Sequence, residues 1–303
     1  VPKNAAEALA KGPNGWGIRA ARELDDALLR LRFHHESIGL VLLRTEGDRA
    51  KAHAVGELLA GRNAGGAGSA GDGPEPQAKA SDGGARSAGA GPEPQTKPKA
   101  EAREAWVLRE TRLLWQRVLR RLDVTARSFF AVVDDESCFA GPLFELLAAA
   151  DRTYVLDAEG VEVRPGPLSD GALPGWSGLS RLETRLLADR GRAKAVIAAG
   201  REGPVDAARA QQLGLATVLA DDIDFEEELR VAVEERVSLS PDALTGMEAS
   251  YRFPGPETLA TKIFGRLSAW QNWIFIRPNA TGETGALSLY GKPERPRFDW
   301  RRT

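Results

Sequence analysis

Apolar positions along this chain alternate between two spacings. Residues 19–33 (RAARELDDALLRLRF) place Leu24, Leu28 and Leu31 on one stripe, which predicts a helix. Residues 38–44 (IGLVLLR) form a continuous apolar run, the pattern of a buried strand. A helical stretch at 49–60 follows, and a long one at 101–122. SFFAVVD at 128–134 predicts a second strand. PLFELLAAAD at 142–151 predicts a helix with Leu143, Leu146, Leu147 and Ala150 on one face and Glu145 roughly opposite. Two short strands are expected within 152–164, then helices near 177–188, 205–213, 224–237 and 241–249. A long amphipathic helix at 256–277 and a polar tail close the chain. Strands each followed by helices predict an α/β unit with a covered sheet.

Residues 61–100 break this pattern. Gly, Ala, Pro and Ser make up 27 of these 40 positions, and no large aliphatic or aromatic residue occurs. Such a stretch cannot offset the entropy of ordering, so a disordered, deletable insert is expected. GGAGSAGDGPEPQ at 65–77 returns as GGARSAGAGPEPQ at 83–95, a repeat too short and polar for a solenoid. The predicted organisation is 1–60 as the start of one unit, 61–100 as insert, 101–240 as the remainder of the core, and 241–303 as a C-terminal helical region.

The 303 residues carry 41 basic and 43 acidic side chains. That balance argues against a general nucleic-acid binder. A single cysteine, Cys138, excludes an internal disulfide framework and a Cys-cluster zinc site, and fits a cytoplasmic protein. No apolar run approaches a membrane span, and the first residues have no signal-peptide core. The chain begins at Val1 and its one methionine is Met247, so a processed chain or a piece of something longer is expected.

Several apparent sites dissolve on inspection. Gly15-Trp16-Gly17 starts a dinucleotide-like pattern, but a turn rather than a strand precedes it. His34, His35 and His53 form no metal-ligand pair and are expected as solvated helix-end residues. Gly175-Trp176-Ser177-Gly178 lacks the last glycine of a nucleophile elbow. Asp221, Asp222 and Asp224 precede a helix, where they complement its dipole. The stretch 128–151 is richer: strand, Gly-containing loop, helix. Backbone N–H groups at such a helix start can hold an anion, and Glu145 in the first turn could act as general acid or base.

This stretch resembles the crotonase (enoyl-CoA hydratase/isomerase) superfamily. The family's loop reads N-G-x-A-x-G-G-G-x-E-L-A-x-x-x-D, and ESCFAGPLFELLAAAD runs from Glu136 to Asp151 in the same register. A second family marker is matched by LPGWSGLSRL at 173–182, and a third by PVDAARAQQLGLATVL at 204–219. Four further segments, 23–48, 120–141, 178–187 and 255–291, resemble the C-terminal half of one branch, the benzoyl-CoA-dihydrodiol lyases (2,3-epoxybenzoyl-CoA dihydrolases). Members of that branch have two crotonase-like halves.

The resemblance implies a crotonase-like ββα spiral. It implies a carbon–carbon lyase that opens the ring of 2,3-epoxybenzoyl-CoA with water in benzoyl-CoA degradation, releasing formate and 3,4-dehydroadipyl-CoA semialdehyde. No metal or redox cofactor is implied. The implied partners are an acyl-CoA, the N-terminal crotonase-like half, and further copies of the chain. By the same resemblance, Glu145 matches one catalytic carboxylate, and the backbone at Ala140 and Gly141 would lie against substrate. The second carboxylate falls on Pro167, with Asp170 displaced from it. One of two required oxyanion N–H donors falls on Pro142, which has none. The Gly/Ala-rich loop that supplies the other reads TEGDRAKAHAVGELL here. These departures make this half an expected non-catalytic one, inactive alone. Two alternatives stay open: a non-enzymatic assembly module, with Trp270, Trp273 and Phe275 as a docking face, or an enoyl-CoA hydratase/isomerase.

Overall fold

A computed structural model describes residues 4–61, 99–253 and 257–301. The insert expected at 61–100 therefore lies almost entirely outside the described residues.

In chain order the elements begin with α1 (Ala5–Lys11), α2 (Trp16–Phe33), β1 (Leu40–Leu43) and α3 (Arg49–Leu59). Then come α4 (Lys99–Asp123), β2 (Ser128–Val133), α5 (Phe144–Ala149), β3 (Arg152–Leu156) and β4 (Glu162–Val163). They are followed by α6 (Arg181–Arg185), α7 (Arg190–Glu202), β5 (Val205–Asp206), α8 (Ala207–Gln212) and β6 (Val218–Ala220). α9 (Phe225–Ser238) and α10 (Pro241–Arg252) lead to a terminal series: α11 (Leu259–Lys262), a π-helical run (Ile263–Gln271), α12 (Asn272–Phe275) and α13 (Pro278–Thr281).

Four strands make one parallel sheet in the order β1-β2-β3-β6. Leu42 pairs with Phe130, Val132 with Tyr154, and Val155 with Leu219. β4 and β5 form a separate antiparallel ribbon. Parallel pairing requires crossovers, and these put helices on both faces. β2 shows the result: every residue of SFFAVV is buried. Phe130 and Val132 pack on Phe225, Leu229 and Ala232 of α9. Phe129 faces Leu28, Trp115, Leu119 and Leu122 from α2 and α4. Ala131 and Val133 join the cluster of Phe144, Leu147, Val196 and Leu213. A run apolar at every position, rather than at alternate ones, is what a doubly covered strand needs.

The structure departs from expectation at four places. The helix expected at 177–188 is only Arg181–Arg185, because Pro174, Gly175 and Gly178 (φ +82°) make a turn first. Its true start is a capping box, in which Ser180 accepts from the Glu183 N–H and Glu183 from the Ser180 N–H. α7 and β6 were not anticipated. α7 begins where the Asp189 side chain accepts from the Arg192 N–H. The long helix expected at 256–277 is divided by the π-helical run. That run is fixed on α10 at two points. Arg266 donates to the carbonyls of Ser250 and Phe253, and Trp270 and Ile274 close over Gly246. Along the terminal series, Leu259, Phe264, Leu267 and Ile276 are exposed. No helix among the described residues is long and apolar enough to cross a membrane.

Candidate functional site

The loop after β2 is tied down before it reaches the helix. Asp134 accepts from the Ser137 hydroxyl, and the Cys138 N–H donates to Thr45. Arg49 donates to the carbonyls of Ser137 and Gly160. The chain then turns through a short 3-10 segment at Gly141–Leu143, with Pro142 in its first turn, where proline is favourable.

This turn is closed against α3. Gly141 has φ +53°, and a Cβ there would lie 2.0 Å from the Ala52 carbonyl oxygen. A Cβ on Gly56 would lie 2.8 Å from the Gly141 Cα. Only two glycines allow the helix backbone to approach the turn this closely. Three N–H groups of the turn are engaged internally. Ala140 donates to Cys138 (3.0 Å), Leu143 to Ala140 (3.1 Å), and Phe144 to the Gly141 carbonyl. Pro142 has no N–H to offer. Ala140 and Gly141 are both buried.

Glu145 does not sit on a solvated face. It is 1% exposed, because α5 is covered on all sides. The Ser169 hydroxyl donates to its Oε1, and its Oε2 lies 4.0 Å from Nη1 of Arg181. Arg181 in turn reaches Asp123 at 3.0 Å and the Leu173 carbonyl at 3.0 Å. Burial pushes the Glu145 carboxyl well above the ordinary range, while Arg181 and Ser169 pull it back. Burial also raises Asp123, against the pull of Arg181. The network thus joins α5, the 167–169 turn, α6 and α4 through buried polar groups. It can store a proton on Glu145, but solvent scarcely touches that carboxyl.

The second carboxylate is not delivered. Asp170 points outward, its side chain about half exposed, and pairs with Arg201 at 3.1 Å. A serine hydroxyl, Ser169, takes the place beside Glu145. The 24-residue separation of that pair gave no sequence signal.

The histidines divide. His34 and His35 follow the end of α2 and are exposed, as expected. His53 is different: it lies inside α3, mostly buried against Gly166, with Nε2 3.4 Å from Glu57. Its Nδ1 has no hydrogen-bond partner among the described residues, and burial lowers its pKa. The aspartates at 221–224 serve the start of α9, where Asp221 accepts from the N–H groups of Ile223 and Asp224.

Comparison with known proteins places this geometry. No protein-family model matches the chain. Solved structures with the same fold include an enoyl-CoA hydratase from Geobacillus kaustophilus HTA426, at a TM-score of 0.58 and 13% identity, covering 99% of this chain and 90% of the other. An enoyl-CoA hydratase from Bacillus anthracis gives a TM-score of 0.58 and 15% identity, covering 96% and 93%. Among curated proteins, a benzoyl-CoA-dihydrodiol lyase from Aromatoleum evansii is 43% identical over 99% of this chain. The chain spans about half of that relative, 47% of its length. It therefore has the fold of the crotonase (enoyl-CoA hydratase/isomerase) superfamily, and along nearly its whole length it is a relative of about half of a benzoyl-CoA-dihydrodiol lyase.

Proposed function

We propose that the chain is the C-terminal half of a ring-opening lyase acting on 2,3-epoxybenzoyl-CoA, and that it carries no chemistry of its own. The lyase assignment follows the identity to the Aromatoleum evansii protein. The non-catalytic assignment is carried by one observation, the turn with proline at 142. A thioester enolate needs preorganised donors where its charge develops. Here position 142 has none, the N–H groups of residues 140, 143 and 144 are already engaged, and α3 packs against Gly141. Losing one oxyanion donor costs about 10² to 10³ in rate, so a turn without the donor at 142 is a poor oxyanion site. Glu145 becomes a buried structural acid, and the chemistry belongs to the N-terminal half. No resident metal or redox group takes part in this reading.

Purified chain incubated with 2,3-epoxybenzoyl-CoA should release no formate above the buffer rate. In the full-length lyase, Glu145→Gln should leave turnover within about threefold, whereas loss of a working acid or base reaches roughly 10²-fold or more. Formate released by the chain alone and abolished by Glu145→Gln would place the active site here. A second reading is supported by exposed apolar side chains in the terminal helices: Phe275 of the expected docking face, with Leu259, Phe264, Leu267 and Ile276, whereas Trp270 packs on Gly246. In it the chain is an assembly module with no enzymatic partner half. Absence of activity in the full-length protein as well would favour that reading.

A further inference from the structure

A cavity of about 950 Å³ opens at the end of the sheet where β2 and β3 begin, away from the Gly141 turn, between α5, α6, α9 and α10. Five arginines and three carboxylates line it. Two of the arginines are neutralised in place: Arg252 by Asp151 at 2.7 Å, and Arg181 by Asp123 at 3.0 Å. Arg185 directs its N–H groups at carbonyls and a threonine hydroxyl. The third carboxylate, Glu248, accepts from the Ser128 hydroxyl.

Arg152 and Arg236 remain, Arg152 with one long hydrogen bond, to the Tyr154 hydroxyl at 3.4 Å. Neither has a carboxylate within 4.0 Å among the described residues. Both guanidinium groups instead lie over the ring of Phe130, each 5.7 Å from its centroid. Arg236 is 9% exposed, and its Nε has no hydrogen-bond partner. Its nearest polar contact on Nη1 is a weak one, the Met247 sulfur at 4.0 Å. Glu248 and Asp151 attract Arg236 from beyond contact, but burial and the neighbouring Arg152 and Arg252 oppose its charge. A buried charge without a contacting counterion is costly, and a second like charge on the same ring adds to that cost. An anion offsets both. Guanidinium groups match oxyanions, because their planar N–H forks meet two oxygens at once. The cavity is also far larger than a bare ion needs and falls within the range of small-molecule sites.

We propose that this cavity binds the phosphate or carboxylate group of a small molecule, seated on Arg236 and Arg152. The proposal stands apart from the lyase reading, since neither Arg236 nor Arg152 belongs to the Gly141 turn or touches Glu145; of the lining residues, Arg181 reaches Glu145 and is not one of the proposed anion ligands.

Isothermal titration calorimetry on the whole chain at fixed ionic strength tests it, with inorganic phosphate, pyrophosphate and succinate as probes. Saturable binding of at least one anion, one per chain, is expected. Preference for pyrophosphate identifies a phosphate ligand, and preference for succinate a carboxylate. Arg236→Gln and Arg152→Gln should each weaken binding at least tenfold, while Arg209→Gln on the outer surface of α8 should not. No saturable binding of any probe overturns the proposal, as does binding unchanged in both cavity variants. Crystals grown with the preferred anion read the site without a variant. Density within hydrogen-bonding reach of Arg236 supports the proposal, and the anion bound elsewhere with this cavity empty overturns it.

Discussion

Glu145 stands at a catalytic position by its sequence register and is buried in place. Its spacing from Gly141 is the family's, yet its carboxyl is shut between Ser169 and Arg181. Burial raises its pKa above the ordinary glutamate value of 4.5. In the window between that value and the raised one, the folded chain holds a proton that the unfolded chain has lost. Stability attributable to Glu145 therefore falls as pH rises through the window. Glu145→Gln removes this dependence while keeping the volume. Thermal melts of both proteins from pH 4.5 upward should show the variant gaining on the parent, by roughly 1.4 kcal/mol per pH unit inside the window. A gap that stays constant with pH would show that Glu145 is not the titrating group. Glu248, also raised by burial, remains in both proteins and cancels in the comparison. Asp123 shares Arg181 with Glu145 and repels it, so removing the Glu145 charge eases the ionisation of Asp123 and adds to the variant's gain.

At the level of elements, the contact of α3 with the 3-10 turn is the tightest constraint on the candidate site. Gly141→Ala adds a Cβ 2.0 Å from a backbone oxygen at a positive φ. Gly160→Ala meets the same left-handed strain (φ +82°) with nothing within 4 Å. The first should cost more than about 3 kcal/mol and the second about 1 kcal/mol, read as urea denaturation midpoints. Equal costs would mean that α3 moves aside freely. The sequence displayed the first strands well, because continuous apolar runs such as SFFAVV have few other readings, but the two residues of β5 fell inside an expected helix and the three of β6 were too few to signal. It displayed α3 as a helix but not its crossing over the turn, since Ala52 and Gly141 are far apart in the chain. α7 carries only Val196 and Ile197 as large apolar residues among alanines and glycines, too few to draw a stripe. The capping box at Ser180 spells S-x-x-E, and the expected helix at 177–188 starts too early, inside the turn that precedes it. The burial of Glu145 was not legible, because a period of 3.6 separates faces and cannot say that both are covered.

For the whole molecule, the C-terminal helices are joined to the sheet through one side chain more than any other. Arg252, at the end of α10, binds Asp151 through Nε and Nη2 and donates to the carbonyls of Thr125 and Arg127. It also lies over the ring of Phe129, 5.3 Å from its centroid. Arg252→Ala leaves Asp151 buried without its partner and should cost about 3 to 5 kcal/mol. Hydrogen exchange should show α10 to α13 losing protection before β2 and β3 do. Uniform loss across the chain would mean that the region and the sheet unfold as one unit. The closed turn bears on descent as well as on catalysis. Replacing Pro142 by glycine would return an N–H, but the backbone of α3 at Ala52 would still lie against Gly141, and no side-chain change moves it. On the proposed reading, recovery of a donor site would demand a new backbone N–H and a displaced helix together. A half closed in this way would drift in one direction, free to trade substrate geometry for packing while the chemistry rested with its partner.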